Sequence, residues 1–135
     1  MRILCLDIGD VRIGVAVSDP LGISTNGVET HLSKGSEQDA SYFSELAHKL
    51  NAEMILLGLP LNMDGTEGDR AEKVRAFGSL LAERSGLPVD YEDERLTTVE
   101  AEEMLIEAGL SRQERRKVID KVAAEIILRC YLSKK

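Results

Sequence analysis

The sequence predicts a single α/β domain, residues 1–135, whose mixed central sheet starts with a β-hairpin and carries helices on its faces. Three observations lead there. Two apolar, β-branched runs, Ile3–Ile8 and Val11–Val17, flank the short turn Gly9-Asp10, which reads as a hairpin. Met54–Leu59 is a continuous apolar run stopped by Pro60, the pattern of a parallel strand buried on both faces. Around and after it, helix-period and strand-like segments alternate, which places helices against a partly parallel sheet with the hairpin as its antiparallel edge.

Each further element has its own signal. Gly27–His31 reads as a third strand after the loop Pro20–Asn26. Residues 37–50 carry Ala40, Phe43, Leu46, Ala47 and Leu50 at helical spacing. A polar, glycine-containing loop, Leu61–Gly68, follows the buried strand. Residues 69–85 form a helix with Val74, Phe77, Leu80 and Leu81 on one face, ended by Gly86, and Val89–Tyr91 is a short strand. Thr97 with Glu100 reads as a capping box opening a helix to Ala108, closed by Gly109. Ser111 with Glu114 opens the last helix, whose apolar stripe is Ile119, Val122, Ala123, Ile126, Ile127 and Cys130.

Composition narrows the classes. Hydrophobic residues make up 43% of the chain and aromatics 4%, enough for a buried core and too little for extensive base stacking. Two cysteines cannot staple 135 residues; Cys5 in an apolar run and Cys130 on an apolar helix face read as buried thiols of a reducing, cytoplasmic setting. No run reaches the roughly 18–20 apolar residues of a membrane span, and Asp7 interrupts the N-terminal run too early for a signal peptide. The net charge of −7 argues against a uniformly basic nucleic-acid binder. It hides an asymmetry: residues 110–135 hold eight Lys/Arg against three acids, a local +5, so residues 1–109 carry −12. A polyanion is attracted to one end only, although a solvated cluster of helix charges explains the same numbers.

Three acidic spots stand out. Asp7 lies inside the apolar first strand, so it must be exposed at the strand end, paired, or bound to a cation; capping the next turn is the bland alternative. Asp93-Glu94 follows a strand, and ligands of α/β sheets gather at the carboxyl ends of strands. An acidic turn paired with Arg95 is the competing reading. At 100° per residue, Asp120 falls at the rim of the last helix's apolar stripe, with Arg116 and Lys117 within reach as ion-pair partners. Were the three to converge, each pair would repel by about 4 kcal/mol at 4 Å in an effective dielectric of about 20. Such a cluster needs a proton or a cation, and oxygen ligands favour Mg²⁺ or Mn²⁺ over zinc. His31 and His48 read as surface residues, and neither Cys has a plausible triad partner.

Four motifs resemble the YqgF (RuvX) family of the ribonuclease H-like superfamily: LDIGDVRIGVAVSD at 6–19, GLPLNMDGTEG at 58–68, DERLTT at 93–98 and RRKVIDKVAAEIIL at 115–128. They span nearly the whole chain in the family's order. The resemblance implies a ribonuclease H-like fold and a Mg²⁺-dependent nuclease (Mn²⁺ as an alternative) with acids at Asp7, at the Asp93-Glu94 pair with Glu94 favoured, and at Asp120. It implies work on the 5′ end of pre-16S ribosomal RNA, on its own or in a pre-ribosomal particle. The rival within the family is Holliday junction resolution on four-way DNA. In this reading Asp7 bridges the metals, Glu94 and Asp120 each hold one side, and Arg112, Arg115, Arg116 and Lys117 hold flanking phosphates. Arg12 either pairs with a phosphate or braces Asp19, and the 61–68 loop either closes over substrate or has no role.

Two other classes remain. The Asp-x-Gly hairpin also occurs in actin-like ATPases and sugar kinases, which need two such lobes where this chain has room for one. A non-catalytic nucleic-acid-binding module is the second, against which all three acidic positions being occupied counts. Monomer and homodimer are both open.

Overall fold

A strand needs partners on both sides to bury an all-apolar run, and the first strand obtains them from opposite directions. The computed structural model describes residues 1–95 and 97–134, excluding the side chains of Thr97 and Thr98. In chain order the elements are β1 (Ile3–Ile8), β2 (Arg12–Ser18), β3 (Thr25–Leu32), α1 (Ser36–Lys49), β4 (Met54–Leu59), α2 (Asp69–Ser85), β5 (Val89–Asp93), α3 (Thr97–Glu107) and α4 (Arg112–Ser133). The sheet order is β3-β2-β1-β4-β5, antiparallel across β3-β2-β1 and parallel across β1-β4-β5. The antiparallel strands β2 and β3 therefore lie on one side of β1 and the parallel strands β4 and β5 on the other, the mixed sheet that the sequence pattern predicts.

Strand alternation divides the core into two layers. Leu4, Leu6, Ile13, Val15, Ile55 and Leu57 pack against Phe43 of α1 and Val74, Phe77 and Leu81 of α2. On the other face Ile3, Cys5, Ala16, Met54 and Leu56 meet Ala124, Ile127, Leu128 and Tyr131 of α4. The first layer is built of large side chains. The second is thin on β2, where Gly14, Ala16 and Ser18 alternate, so α4 lies close to the strand. Outside α4, α3 covers a small cluster of Ala101, Ala123 and Ile126 with Ile119 and Val122.

Local chemistry sets the helix ends. Ser111 Oγ accepts the Glu114 amide at 3.2 Å and Glu114 Oε1 accepts the Ser111 amide at 2.8 Å, so the capping box is complete. Gly86 and Gly109 take left-handed conformations, φ 73° and 83°, and close α2 and α3 as expected. The capping box read at Thr97 lies outside the described residues.

Several expectations need correction. The hairpin turn centres on Asp10-Val11, one residue later than read, because Ile8 pairs with Ile13 and the Gly9 amide donates to the Arg12 carbonyl at 2.9 Å. Both β3 and β5 are longer than read, since pairing with β2 and β4 carries polar residues along. Cys130 is exposed, not buried. It continues the stripe that α3 covers, but α3 has 11 residues and α4 has 22, so the stripe outruns its cover. His31 is half-buried rather than superficial: its Nε2 lies 3.1 Å from Asp39 Oδ1, and its ring stacks on Tyr42 at 4.3 Å. His48 is exposed as expected, with Nε2 2.8 Å from the Ser85 carbonyl.

Candidate active site

Alternation also decides which acids meet. On β1, Ile3, Cys5 and Asp7 face α4. On β5 the residues facing α4 are Asp90, bonded to Tyr131 Oη at 2.7 Å, and Glu92, bonded to Lys134 Nζ at 2.6 Å. Glu94 continues that series and reaches Asp7, with which it shares a hydrogen bond. Asp93 points the other way and holds Arg95 through both carboxylate oxygens, at 2.9 Å each to the Arg95 amide and Nε. Of the two acids the sequence left open as metal ligands, Glu94 is thus in the cleft and Asp93 is in an ion pair.

Two glycines make the convergence sterically feasible. Gly14 is the cross-strand partner of Asp7, and any Cβ there would overlap the Asp120 carbonyl. Its missing side chain lets α4 bring Asp120 down beside β1. At Gly58 a Cβ would stand 2.6 Å from Glu94 Oε2 and 2.7 Å from Ile127 Cδ1. Its absence lets Glu94 reach across β4 toward β1.

The electrostatics follow from this crowding. Burial and the neighbouring Asp7 push Glu94 up to about 9. Burial also raises Asp7, with the Asp120 charge adding and the Glu94 hydrogen bond and the Arg70 guanidinium opposing. Two half-buried carboxyls in contact resist joint ionisation, so burial and mutual repulsion favour a proton held by the pair. Asp93 is the reverse case, held below the usual carboxylate range by Arg95. Beneath the pair, burial and the charges of Asp7 and Glu94 push the Cys5 thiol well up, which leaves it inert.

Asp7, Glu94 and Asp120 line one open cleft of about 360 Å³ together with Arg70, Arg95 and Met63. The cleft lies at the carboxyl ends of β1, β4 and β5, where α/β sheets hold ligands. Its donor set is oxygen only, which suits a hard divalent cation. A cation in place of the shared proton would relieve the repulsion that raises Asp7 and Glu94. Among the described residues no three His, Cys, Asp or Glu side chains stand close enough together to hold a metal ion as placed, so binding one requires the carboxylates to draw in. Asp120 acts on Asp7 through its charge, without a hydrogen bond, and among the described residues it makes no ion pair with Arg116 or Lys117.

The 61–68 loop forms a wall of this cleft and is braced from within. Leu61 bridges to Glu67, the Asn62 amide donates to the Thr66 carbonyl at 2.8 Å, and Arg75 grips Glu67 with two bonds of 2.7 and 2.8 Å. Arg95 ties it to β5 by donating to the Met63 carbonyl at 3.0 Å.

The basic residues divide by role. Arg112, Arg116 and Lys117 are exposed on the first turns of α4. Arg115 is half-buried and already engaged: it bonds Glu102 at 2.7 Å and the Leu110 carbonyl at 3.1 Å, clamping α3 to α4. Arg12 is exposed and does not brace Asp19, whose Oδ1 caps its own turn at the Ile23 and Ser24 amides. The residue that sequence reasoning missed is Arg70. The available signal was a cation in the first turn of a helix, where the macrodipole disfavours one.

A mixed five-stranded sheet with helices on both faces and a carboxylate cleft on its central strands defines a ribonuclease H-like domain. Solved structures share this fold: Thermus thermophilus RuvC in complex with a Holliday junction substrate, at TM-score 0.62, 15% identity and coverage of 99% of this chain and 95% of that one. The fowlpox virus Holliday junction resolvase is similar at TM-score 0.60 and 14% identity, covering 100% of both chains.

The chain belongs to the RuvX family, described as Holliday junction resolvase, whose model matches residues 1–134. Proteins named "Putative pre-16S rRNA nuclease" are similar along their whole length. The one from Streptococcus sanguinis is 49% identical over 138 residues, covering 99% of each chain, and the one from Halothermothrix orenii is 52% identical over 133 residues, covering 98% and 95%.

Proposed function

We propose that this protein is a Mg²⁺-dependent nuclease that hydrolyses phosphodiester bonds in structured RNA, at the 5′ end of pre-16S rRNA. The observation that carries it is the Asp7–Glu94 pair: two half-buried carboxyls in contact, in a cleft that Asp120 also lines. A buried pair of this kind is costly unless a cation or a proton is meant to be there. The relatives' names supply the substrate.

In this reading Asp7, Glu94 and Asp120 hold the cation, and Asp93 serves by fixing Arg95. Bound metal activates water and stabilises the leaving oxygen of a phosphodiester. The chain's own contribution is to place Asp7 on β1, Asp120 on α4 and Glu94 directly after β5, to keep Asp7 and Glu94 close enough that cation binding displaces their proton, and to position the strand by backbone contacts. Exposed Arg112, Arg116 and Lys117 supply such contacts, and Arg12 is a further candidate; phosphate contacts position without reading sequence.

The family description favours a second substrate, the four-way DNA junction. Mg²⁺-dependent cleavage of a labelled pre-16S 5′-leader RNA and of a four-way DNA junction, by wild type and by Asp7→Asn, separates the readings. RNA cleavage abolished by Asp7→Asn is the expected result. Junction cleavage with the same dependence would replace the substrate and keep the enzyme. Binding without cleavage of either would make the chain a nucleic-acid-binding module.

A further inference from the structure

We propose that Arg70 and Lys73 form a second phosphate-binding track, on the α2 side of the acidic cleft, that grips the sugar–phosphate backbone of the nucleic acid next to the reacting phosphate. It rests on the nuclease reading and names residues that neither the sequence motifs nor the basic end of α4 supplied.

The geometry is that of two adjoining hollows with one cation between them. Arg70 lines the acidic cleft. It also lines a second hollow of about 260 Å³ on the far side of the hairpin turn, and Ile8, Gly9 and Pro60 are shared walls. Its charge acts on Asp7 and on Glu94, yet its side chain is exposed and makes no ion pair among the described residues. Lys73, one turn further on the same side of α2, lines the second hollow and is likewise exposed and without an ion pair among them.

Helix stability does not account for Arg70. It is the second residue of α2, where the positive end of the macrodipole disfavours a cation. The hollow also contains acids. Asp39 is already engaged by Ser33 Oγ at 2.6 Å, His31 Nε2 at 3.1 Å and the Lys34 amide at 3.0 Å. Asp10 stands exposed at the hairpin tip. A phosphate between Arg70 and Lys73 would therefore meet two unpaired cations, while the acidic cleft beside it, left to itself, repels the same backbone. With Arg116 and Lys117 one turn before Asp120, a strand can be held on both sides of the carboxylates.

The test uses the full chain carrying Asp7→Asn, so that nothing is cleaved and Arg70 no longer faces an ionised Asp7. Binding of a labelled pre-16S 5′-leader RNA is measured across a KCl series. Adding Arg70→Ala or Lys73→Ala is expected to weaken binding several-fold and to reduce the slope of log K against log salt by roughly 0.7 each. Arg70→Lys is expected to keep the slope, and Lys49→Ala, at the far end of α1, to change nothing. Thermal melts of each variant confirm folding. Unchanged affinity and slope in both alanine variants, while Asp7→Asn itself binds, would overturn the track and leave the nuclease reading standing. No binding of RNA or of a four-way junction by the Asp7→Asn protein would overturn both.

Discussion

Glu94 carries opposite demands at the scale of a single residue. Its carboxyl is raised to about 9 by burial and by Asp7, against an unfolded value near 4.5. A raised carboxyl favours the fold fully below the unfolded value, and this contribution is lost as pH rises through the folded one. Without metal, stability should therefore decline between about pH 4.5 and 9, and Glu94→Gln should flatten that decline and raise Tm at pH 8 while abolishing cleavage. Mg²⁺ should raise the Tm of the wild type by mass action and have little effect on Glu94→Gln. Thermal melts at several pH values, with and without Mg²⁺, check both, and an unchanged profile in the variant would place the pH dependence elsewhere. Gly14 is the second decisive residue, because a methyl group there collides with the Asp120 backbone rather than with a movable side chain. Gly14→Ala should cost about 1–3 kcal/mol of stability, as overpacking does, and lower kcat by moving Asp120 away from Asp7. A variant with wild-type kcat would show that the position of Asp120 does not limit the reaction.

At the scale of elements, α4 has two jobs that can be separated. Its C-terminal half covers the sheet, its middle (Ile119–Ile126) packs on α3, and its N-terminal half carries Asp120 and Arg112, Arg116 and Lys117. Ser111→Ala removes the capping box and should cost about 1 kcal/mol, read in denaturant melts, with little loss of kcat because Asp120 lies more than two turns into the helix. On the opposite face, Asp39 ties β3 to α1 by accepting from Ser33, His31 and the Lys34 amide while 3% exposed. Its carboxyl is held below the usual range by the Ser33 and backbone hydrogen bonds and by His31, against the cost of burial. That stabilisation is present above the unfolded pKa and lost as pH falls through the folded one. Asp39→Ala should destabilise by about 1–3 kcal/mol near neutral pH, by leaving buried donors unpaired, and the deficit should shrink in acid. A deficit independent of pH would assign Asp39 to packing alone.

At the scale of the whole molecule, charge is arranged against the proposed substrate, with −12 on residues 1–109 and +5 on residues 110–135. RNA binding should therefore depend steeply on salt, and replacing Arg112, Arg116 and Lys117 together by Gln should reduce that dependence and weaken binding; a flat salt profile in the wild type would exclude binding through these cations. The sequence by itself determined the elements and the fold class, because turns, caps and apolar periodicity are local: the hairpin, the buried run Met54–Leu59 and the capping box at Ser111 are all legible within a few residues. It also marked Asp7, since a carboxylate in an apolar strand is anomalous wherever the strand goes. Only the tertiary structure decided the rest. That Glu94 lines the cleft while Asp93 pairs with Arg95 depends on the phase of β5 against β4 and α4. Pairing Arg115 with Glu102 needs the neighbouring helix, and exposing Cys130 needs the point where α3 stops. The place of Arg70 beside the carboxylates is set only when α2 packs on the sheet. Each of these depends on which surface faces which, a property set by packing between segments far apart in the chain.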